Sequence, residues 1–303
     1  MKKIFKLVSI SMISTSMLLT GCGGGGSASV RSTSFSSFSA INPPEAIAFA
    51  GMTREADYSA PAPAFLVTSV NDLGVSQTSS ATLTYGSSGS LDKITINTPN
   101  STVTWNTADG DTIDTFSGVI IGAENSAGTN VGIAIDPTGI PGWDYQTFGV
   151  WITGLDTGSG RVGTMSIGSP TAGSAIPGTG TPTFTGLSTG VYVDSSGEGY
   201  MAIGELTVLA DFSNRSLAFA TRNTEKINLN SDISSAADNL DMIGTLRYSA
   251  GVNSFSGPVS ATGLTGTAEG RFYGPSAQEL GGVFSLSADS GIESYIGGYG
   301  ATQ

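Results

Sequence analysis

The sequence predicts an all-β protein with a C-terminal eight-stranded antiparallel β-barrel, preceded by a second β-rich domain. Apolar and polar side chains alternate with a period of two in many short stretches, whereas the period of an amphipathic helix is nearly absent. Gly, Ser and Thr are poor helix formers and are abundant, and the 43 Gly residues supply turns between those stretches. Short alternating segments separated by turns are typical of sandwiches and barrels.

An export signal precedes the β-rich part. Residues 1–6 are basic, and the largely apolar run of residues 7–19 is too short to cross a bilayer as a helix of the mature protein. The run ends in Leu19-Thr20-Gly21-Cys22, which resembles the lipobox of bacterial lipoproteins. This resemblance implies that residues 1–21 are a signal peptide and that Cys22 becomes the lipidated N-terminus, for instance with palmitate. Cys22 is the single cysteine, so no disulfide is expected.

A flexible lipidated tether is expected over residues 22–42. It begins with four Gly residues and continues into a Ser-rich run, a composition that gives flexible linkers. Each buried CH₂ of an acyl chain contributes about 0.8 kcal/mol, so several chains together hold the protein firmly at the membrane. The Gly at position 23 resembles a sorting signal for the outer membrane of Gram-negative bacteria. We therefore expect a lipid-anchored outer-membrane protein.

The mature chain is strongly acidic. Removal of Lys2, Lys3 and Lys6 with the signal peptide leaves 9 of the 12 basic residues against 24 acidic ones, and the formal net charge changes from −12 to −15. Such a surface repels phosphate backbones and has no Lys/Arg cluster to offset the repulsion, so nucleic acid is not expected as a partner. A basic protein, or a cationic or apolar solute, is compatible with this charge.

The β-rich domain expected over residues 43–168 contains alternating stretches at 93–97 and 102–106 and, by its composition, a short helix at 43–56. Its aromatic segment carries Trp143, Tyr145 and Trp151, which would form a binding hot spot if they were exposed. The alternative is core packing, which is favoured because apolar residues fall on both faces of that segment.

A linker rich in Pro, Gly and Ser is expected at residues 169–182, followed by the barrel domain at 183–303. Eight antiparallel strands are enough to close a small barrel, and closure removes exposed sheet edges. The alternating stretches that we assign to strands lie near residues 183–193, 200–212, 215–224, 241–249, 253–260, 265–273, 281–288 and 293–300.

A motif near the C-terminus carries a family resemblance. Its residues are Phe272, Tyr273, Gly274, Pro275, Glu279, Gly281 and Gly282. The motif resembles the closing hairpin of the β-barrel domain in transferrin-binding protein B and related surface lipoproteins. The resemblance implies that residues 43–168 are the counterpart of the handle domain that precedes the barrel. It also implies display at the cell surface, and a role in acquiring iron, haem or another nutrient together with an export machinery and a nutrient importer. The ligand does not transfer, because a conserved fold can serve different targets.

The motif residues are expected to maintain the fold and not to bind a ligand. Pro275 fixes a backbone dihedral, and Gly274 permits a conformation that other residues rarely adopt. Glu279 can accept hydrogen bonds near the turn, while Phe272 and Tyr273 are suited to plugging a barrel end.

Catalytic chemistry is not expected, because the chain has no histidine. Residues 186–190 match the Gly-x-Ser-x-Gly pattern of hydrolases, but that pattern needs a neighbouring base, which is normally His. Zinc sites of His and Cys are likewise not expected, nor is any other metal or cofactor. Two functions remain open: a surface lipoprotein that binds a protein or a small solute, and a structural or host-interaction lipoprotein without a small-molecule ligand. A small ligand predicts an apolar pocket at the barrel mouth or between the domains, whereas a protein ligand predicts a filled barrel.

Overall fold

A computed structural model describes residues 31–62 and 65–303, which form β-strands and short 3₁₀ helices. Cys22 and the signal peptide lie outside these described residues, so lipidation stays a prediction. Among the described residues, no helix combines the length and the apolar character needed to cross a membrane.

The first domain is one sheet that nearly closes into a barrel. Nine strands follow the order β5-β4-β3-β2-β10-β9-β8-β7-β6, and β1 pairs in parallel with β2. The edge strands β5 and β6 do not pair with each other, although a 3₁₀ turn at Thr107–Asp109 joins them. The strands are β1 Arg31–Ser34, β2 Glu45–Ala60, β3 Ser69–Tyr85, β4 Leu91–Asn97, β5 Thr102–Asn106, β6 Thr112–Phe116, β7 Ile120–Glu124, β8 Val131–Ile135, β9 Gln146–Thr153 and β10 Gly158–Gly168.

Folded structure begins inside the stretch whose composition predicts a tether. Strand β1 lies there, and so does a 3₁₀ helix at Phe38–Ala40. The ring of Phe38 is buried against Phe49, with a centroid distance of 5.8 Å, and Phe35 lies between them. A few aromatic residues in a Ser-rich run are therefore enough to fix it to the sheet.

The helix expected at residues 43–56 is wrong, because this segment belongs to the 16-residue strand β2. Ile47 and Phe49 alternate with alanines at a period of two and point into the first domain's core. The strand pairs with β3 on one side and β10 on the other. Pairing on both edges outweighs the helix propensity of alanine.

The second domain is the predicted closed barrel. Eight strands follow the order β12-β11-β19-β18-β17-β16-β15-β13, and the pairing of β12 with β13 closes the ring. The short β14 (Ser234–Ala236) pairs with β13 outside it. The barrel strands are β11 Thr183–Val193, β12 Gly199–Asp211, β13 Ser216–Asn228, β15 Ile243–Tyr248, β16 Phe255–Ala261, β17 Leu264–Tyr273, β18 Glu279–Ser287 and β19 Ser294–Thr302. The all-β class and the eight-stranded barrel are confirmed.

Aromatic rings fill the barrel. Phe272 is fully buried and meets the rings of Phe255, Tyr248 and Phe212 at centroid distances of 5.1, 5.4 and 5.7 Å. Edge-to-face contacts of this kind add to the stabilisation from area burial. The interior of the barrel is therefore a packed core.

The two domains pack through a face rich in glycine. Strands β18 and β19 lie on β9 and β10 of the first sheet. A Cβ atom on Gly300 would lie 2.3 Å from the Nε2 atom of Gln146, and one on Gly298 would lie 2.6 Å from Oγ1 of Thr164. Glycine at these positions lets the two sheets approach more closely than side chains would allow. An apolar cluster that includes Tyr58, Val67, Val191 and Ile296 continues the contact.

Candidate binding surfaces

The aromatic segment of the first domain does not offer its tryptophans to a partner. Trp143 is 4% exposed and Trp151 is 1% exposed. The indole N–H of Trp143 donates to the carbonyl of Gln146 at 2.7 Å, and Trp151 lies in the core of the first domain. Tyr145 is half-buried at the domain interface. The exposed hot spot considered for this segment is therefore wrong. Both faces of the segment are covered, one by the core of its own sheet and the other by the barrel.

Glu279 joins the two domains. Its side chain is fully buried, and its carboxylate accepts hydrogen bonds from the backbone N–H groups of Asp144, Tyr145 and Gln146, at 3.0 Å from Tyr145 and 2.9 Å from Gln146. Burial raises the pKa of Glu279 to about 7, although the three N–H donors favour the charged form. The sequence predicts that Glu279 accepts bonds near its own turn, but its donors belong to the other domain.

Two further motif residues divide their roles between the barrel core and the domain interface. Phe272 points into the barrel, whereas Tyr273 next to it is fully buried against the first domain, with its hydroxyl 2.9 Å from Oγ of Ser166. Gly274 begins the turn with φ of 86°. Because Tyr273 and Glu279 flank this turn, the motif holds the first domain from both sides. Sequence reasoning missed this coupling, and the signal for it was a tyrosine hydroxyl and a carboxylate in an otherwise apolar and glycine-rich hairpin.

Charged residues line the open edge of the domain interface. Arg54 binds Asp72 at 2.6 Å, and Asp72 also accepts a hydrogen bond from Ser285 of the barrel at 3.1 Å. Burial works against ionisation of Asp72, but the hydrogen bonds from Arg54 and its neighbours hold its pKa below the ordinary value. Nearby, Arg271 donates to the side chain of Gln77 at 2.6 Å. These contacts tie β3 to the barrel.

The apolar part of the described domain interface encloses very little space, whereas a space of about 370 Å³ lies at its polar edge, between Gln77 and barrel residues such as Asn253 and Arg271. The space enclosed by Tyr58, Phe65, Val191 and Ile296 measures about 10 Å³. A single water molecule needs roughly that much room, so this space cannot hold a small apolar solute. The barrel interior is also filled by side chains, so neither it nor this apolar part of the interface provides the pocket predicted for a small apolar ligand.

One mouth of the barrel is closed by an aromatic pair and a lysine. The Nζ atom of Lys226 lies 4.1 Å from the ring centroid of Tyr200 and 5.3 Å from that of Tyr192. The tyrosine hydroxyls donate to Asp194 at 3.0 Å and to Glu293 at 2.5 Å. Burial, together with these carboxylates, raises the pKa of both tyrosines. The groups satisfy one another and seal this end.

Among the described residues, no group of three potential metal ligands is found.

A cleft opens at one end of the first sheet, with a volume of about 720 Å³. Inside this sheet, the residues of β2 that face the interior change from apolar to polar along the strand. Phe49 is in the core, Thr53 bonds Ser79 at 2.6 Å, and Asp57 and Ser59 then line the cleft. The cleft is therefore the polar mouth of the nearly closed sheet.

Arg161 and its carboxylate neighbours form the charged part of this mouth. The guanidinium binds Asp57 through Nε at 2.8 Å and Nη2 at 2.7 Å, while Nη1 donates to the carbonyl of Asn100 at 2.7 Å. Buried Glu55 lies 3.7 Å from Nη1 and accepts a hydrogen bond from Ser101 at 2.7 Å. Each of the three guanidinium nitrogens thus has at least one protein contact.

Comparison with known proteins gives the following relatives. Residues 176–303 match the family described as the C-lobe and N-lobe beta barrels of Tf-binding protein B. An uncharacterized protein of Haemophilus influenzae is 33% identical over 102 residues, which cover 33% of this chain and 29% of that protein. The resemblance read from the C-terminal motif is confirmed for the barrel domain.

Solved structures similar to this chain include transferrin-binding protein B of Haemophilus parasuis, with a TM-score of 0.46 and 15% identity over 83% of this chain and 44% of that one. For transferrin-binding protein B of Neisseria meningitidis the TM-score is 0.46 and the identity 16%, and the match covers 83% of this chain and 43% of that one. For the haemoglobin receptor HpuA of Kingella denitrificans the TM-score is 0.41 and the identity 16%, and the match covers 90% of this chain and 94% of that one. The chain spans less than half the length of the two transferrin-binding proteins.

Proposed function

Since residues 176–303 form a barrel of the transferrin-binding protein B type, we propose that this protein is a binding lipoprotein of the outer membrane that captures a protein at the cell surface. The observation that carries the proposal is this family match on a barrel whose interior is full. A barrel filled by rings such as Phe272 and Phe284 leaves its outer surface for binding. The role is binding and not catalysis, and the partner belongs to iron, haem or other nutrient acquisition.

Three features support capture of a protein over capture of an apolar solute. The barrel interior and the apolar part of the domain interface are packed, and the space enclosed in that part of the interface measures about 10 Å³. The chain is acidic, with 24 Asp and Glu against 12 Lys and Arg, which favours a basic partner surface. The domains are locked together by Glu279 and Tyr273, so both can contribute to one rigid surface.

The membrane location belongs to the same proposal. Cys22 carries the lipid and residues 23–30 extend from it to strand β1. A surface-export machinery then displays the protein, and a nutrient importer receives its cargo.

Binding is tested with the purified full chain on a sensor surface, against transferrin and haemoglobin, the ligands for which the relatives are named, and against whole serum. Saturable binding of one protein at micromolar or better affinity, weakened by salt, is the expected result. Absence of binding to every protein tested would favour the alternative function, a structural or host-interaction lipoprotein.

Location is tested separately with Cys22→Ala. The wild-type chain is expected to take up radiolabelled palmitate, to fractionate with the outer membrane and to be cleaved by protease added to intact cells. The variant is expected to lose the label and to leave the membrane fraction. Label retained by the variant would contradict lipidation at this cysteine.

A further inference from the structure

The floor of the cleft in the first domain is a regular grid of polar side chains. Ser159, Ser59 and Ser69 are direct cross-strand partners on β10, β2 and β3. Two residues along each strand, Arg161, Asp57 and Asn71 form the next row on the same face. Side chains opposite each other in antiparallel strands lie about 5 Å apart, so the grid has even spacing.

Several of these groups have unused hydrogen-bonding capacity. In the described part of the chain, the hydroxyls of Ser59, Ser69 and Ser159 and the side-chain amide of Asn71 contact no protein partner. A hydroxyl can donate one hydrogen bond and accept others, and an amide can also do both. The cleft therefore presents mixed donors and acceptors in two adjacent rows.

The charges in the cleft argue against an ionic ligand. Arg161 is paired with Asp57 and also donates to the carbonyl of Asn100, which reduces its attraction for an anion. Asp57 is held by Arg161, which reduces its attraction for a cation. Around these two residues the lining has seven Ser and Thr residues, and polar surface exceeds apolar surface. This composition fits a ligand that is uncharged and carries many hydroxyl groups.

We propose that this cleft binds a short neutral oligosaccharide, whose hydroxyls pair with the Ser159-Ser59-Ser69 row and with Asn71. The volume of about 720 Å³ lies within the range of small-ligand sites. The sugar stands either free in solution or on a glycoprotein, and both sources offer the same chemistry. The proposal rests on the cleft alone and does not depend on the proposed function.

The test uses the detergent-extracted full chain and saturation-transfer NMR with the neutral tetrasaccharides of glucose and of N-acetylglucosamine. A sialylated trisaccharide serves as the anionic comparison. Two variants act on the cleft: the pair Ser69→Ala and Ser159→Ala removes hydroxyls, and Ser69→Trp fills the space. The pair Ser213→Ala and Ser231→Ala is the matched control, since both serines are exposed and lie on barrel turns.

We expect at least one neutral tetrasaccharide to bind, with a tenfold or greater loss in both cleft variants, no loss in the control and melting temperatures unchanged. Absence of transfer from every neutral sugar, preference for the sialylated one, or binding that survives both cleft variants would overturn the proposal. Ribonuclease B, which carries a neutral mannose chain, compared with unglycosylated ribonuclease A separates the two sources. Retention of the B form alone shows that a glycoprotein can supply the ligand, and retention of neither assigns the site to free sugar.

Discussion

The two sheets of this molecule differ in one respect that decides what their interiors become. The barrel closes through the β12–β13 pairing, and apolar and aromatic side chains fill most of its interior. The first sheet stops short of closure between β5 and β6, and its interior changes from Phe49 to Ser59 along β2. Closure turns an interior into a core, whereas an open end leaves room for polar groups that water or a ligand must satisfy.

The largest effect is expected inside the closed sheet. Phe272→Ala should lower the free energy of unfolding by about 3–5 kcal/mol, because the cavity would be surrounded by rings that cannot collapse into it. Urea unfolding followed by tyrosine fluorescence measures the change. Ile233→Ala is the control: this side chain is 68% exposed and should cost less than about 0.5 kcal/mol. Equal losses in the two variants would contradict a packed barrel.

The next effect concerns the contact between the sheets and depends on pH. Folded Glu279 has a pKa of about 7, whereas the ordinary value is 4.5, so the folded protein holds this proton to higher pH than the unfolded chain. The stability that this group contributes is complete below about pH 4.5 and is lost as the pH rises through about 7, a change on the order of 3 kcal/mol.

Unfolding of the wild type and of Glu279→Gln across pH 4.5–8 tests this difference. In the variant, the part of the pH dependence of the free energy of unfolding that comes from Glu279 should be lost. The variant should also be less stable throughout, because an amide offers one acceptor oxygen to three N–H donors. If the free energy of unfolding changed with pH equally in both proteins, Glu279 would be excluded as the source of the change. Asp72 has a lowered pKa and acts in the other direction, since its contribution is lost only as the pH falls below its ordinary value of 3.8.

A smaller effect tests how closely the sheets approach. Gly300→Ala places a methyl group 2.3 Å from Gln146 and 2.8 Å from Phe148, and we expect a loss of about 1–3 kcal/mol from overpacking. Hydrogen exchange along β9 should become faster in the same variant. Gly178→Ala, in the linker with no atom within 4 Å, should be neutral or slightly stabilising. If Gly300→Ala behaved like Gly178→Ala, the interface would be looser than described.

The smallest effect is expected at the exposed edge of the interface. Arg54→Ala should lower the free energy of unfolding by about 0.5–1 kcal/mol, because the pair with Asp72 is partly open to solvent. The loss should be smaller in high salt. Urea midpoints at low and high NaCl measure it, with exposed Arg222→Ala as control. A loss of several kcal/mol that salt does not reduce would mean that this edge is buried.

The difference between the two sheets also explains which strands could be predicted from the sequence. The barrel strands were predicted to within a few residues, and β11 at both ends, because strands such as β12 alternate between an exposed face and an apolar core. In the first domain, β2 is covered on both faces and β3 shifts register against it, so the alternating pattern fails. The polar grid could not be predicted, since only the strand pairing brings Ser59 and Ser159 side by side. Glu279 was recognised as an acceptor, but its donors lie in another domain.

The central place of β19 also has a consequence for secretion. This strand pairs with β11 on one side and β18 on the other, and it carries part of the glycine face that meets the first domain. During vectorial transport across an envelope, β11 emerges long before Ser294–Thr302 can reach it. Until then its edge is an open template for wrong pairing. In an exported chain the barrel can therefore close only when β19 arrives.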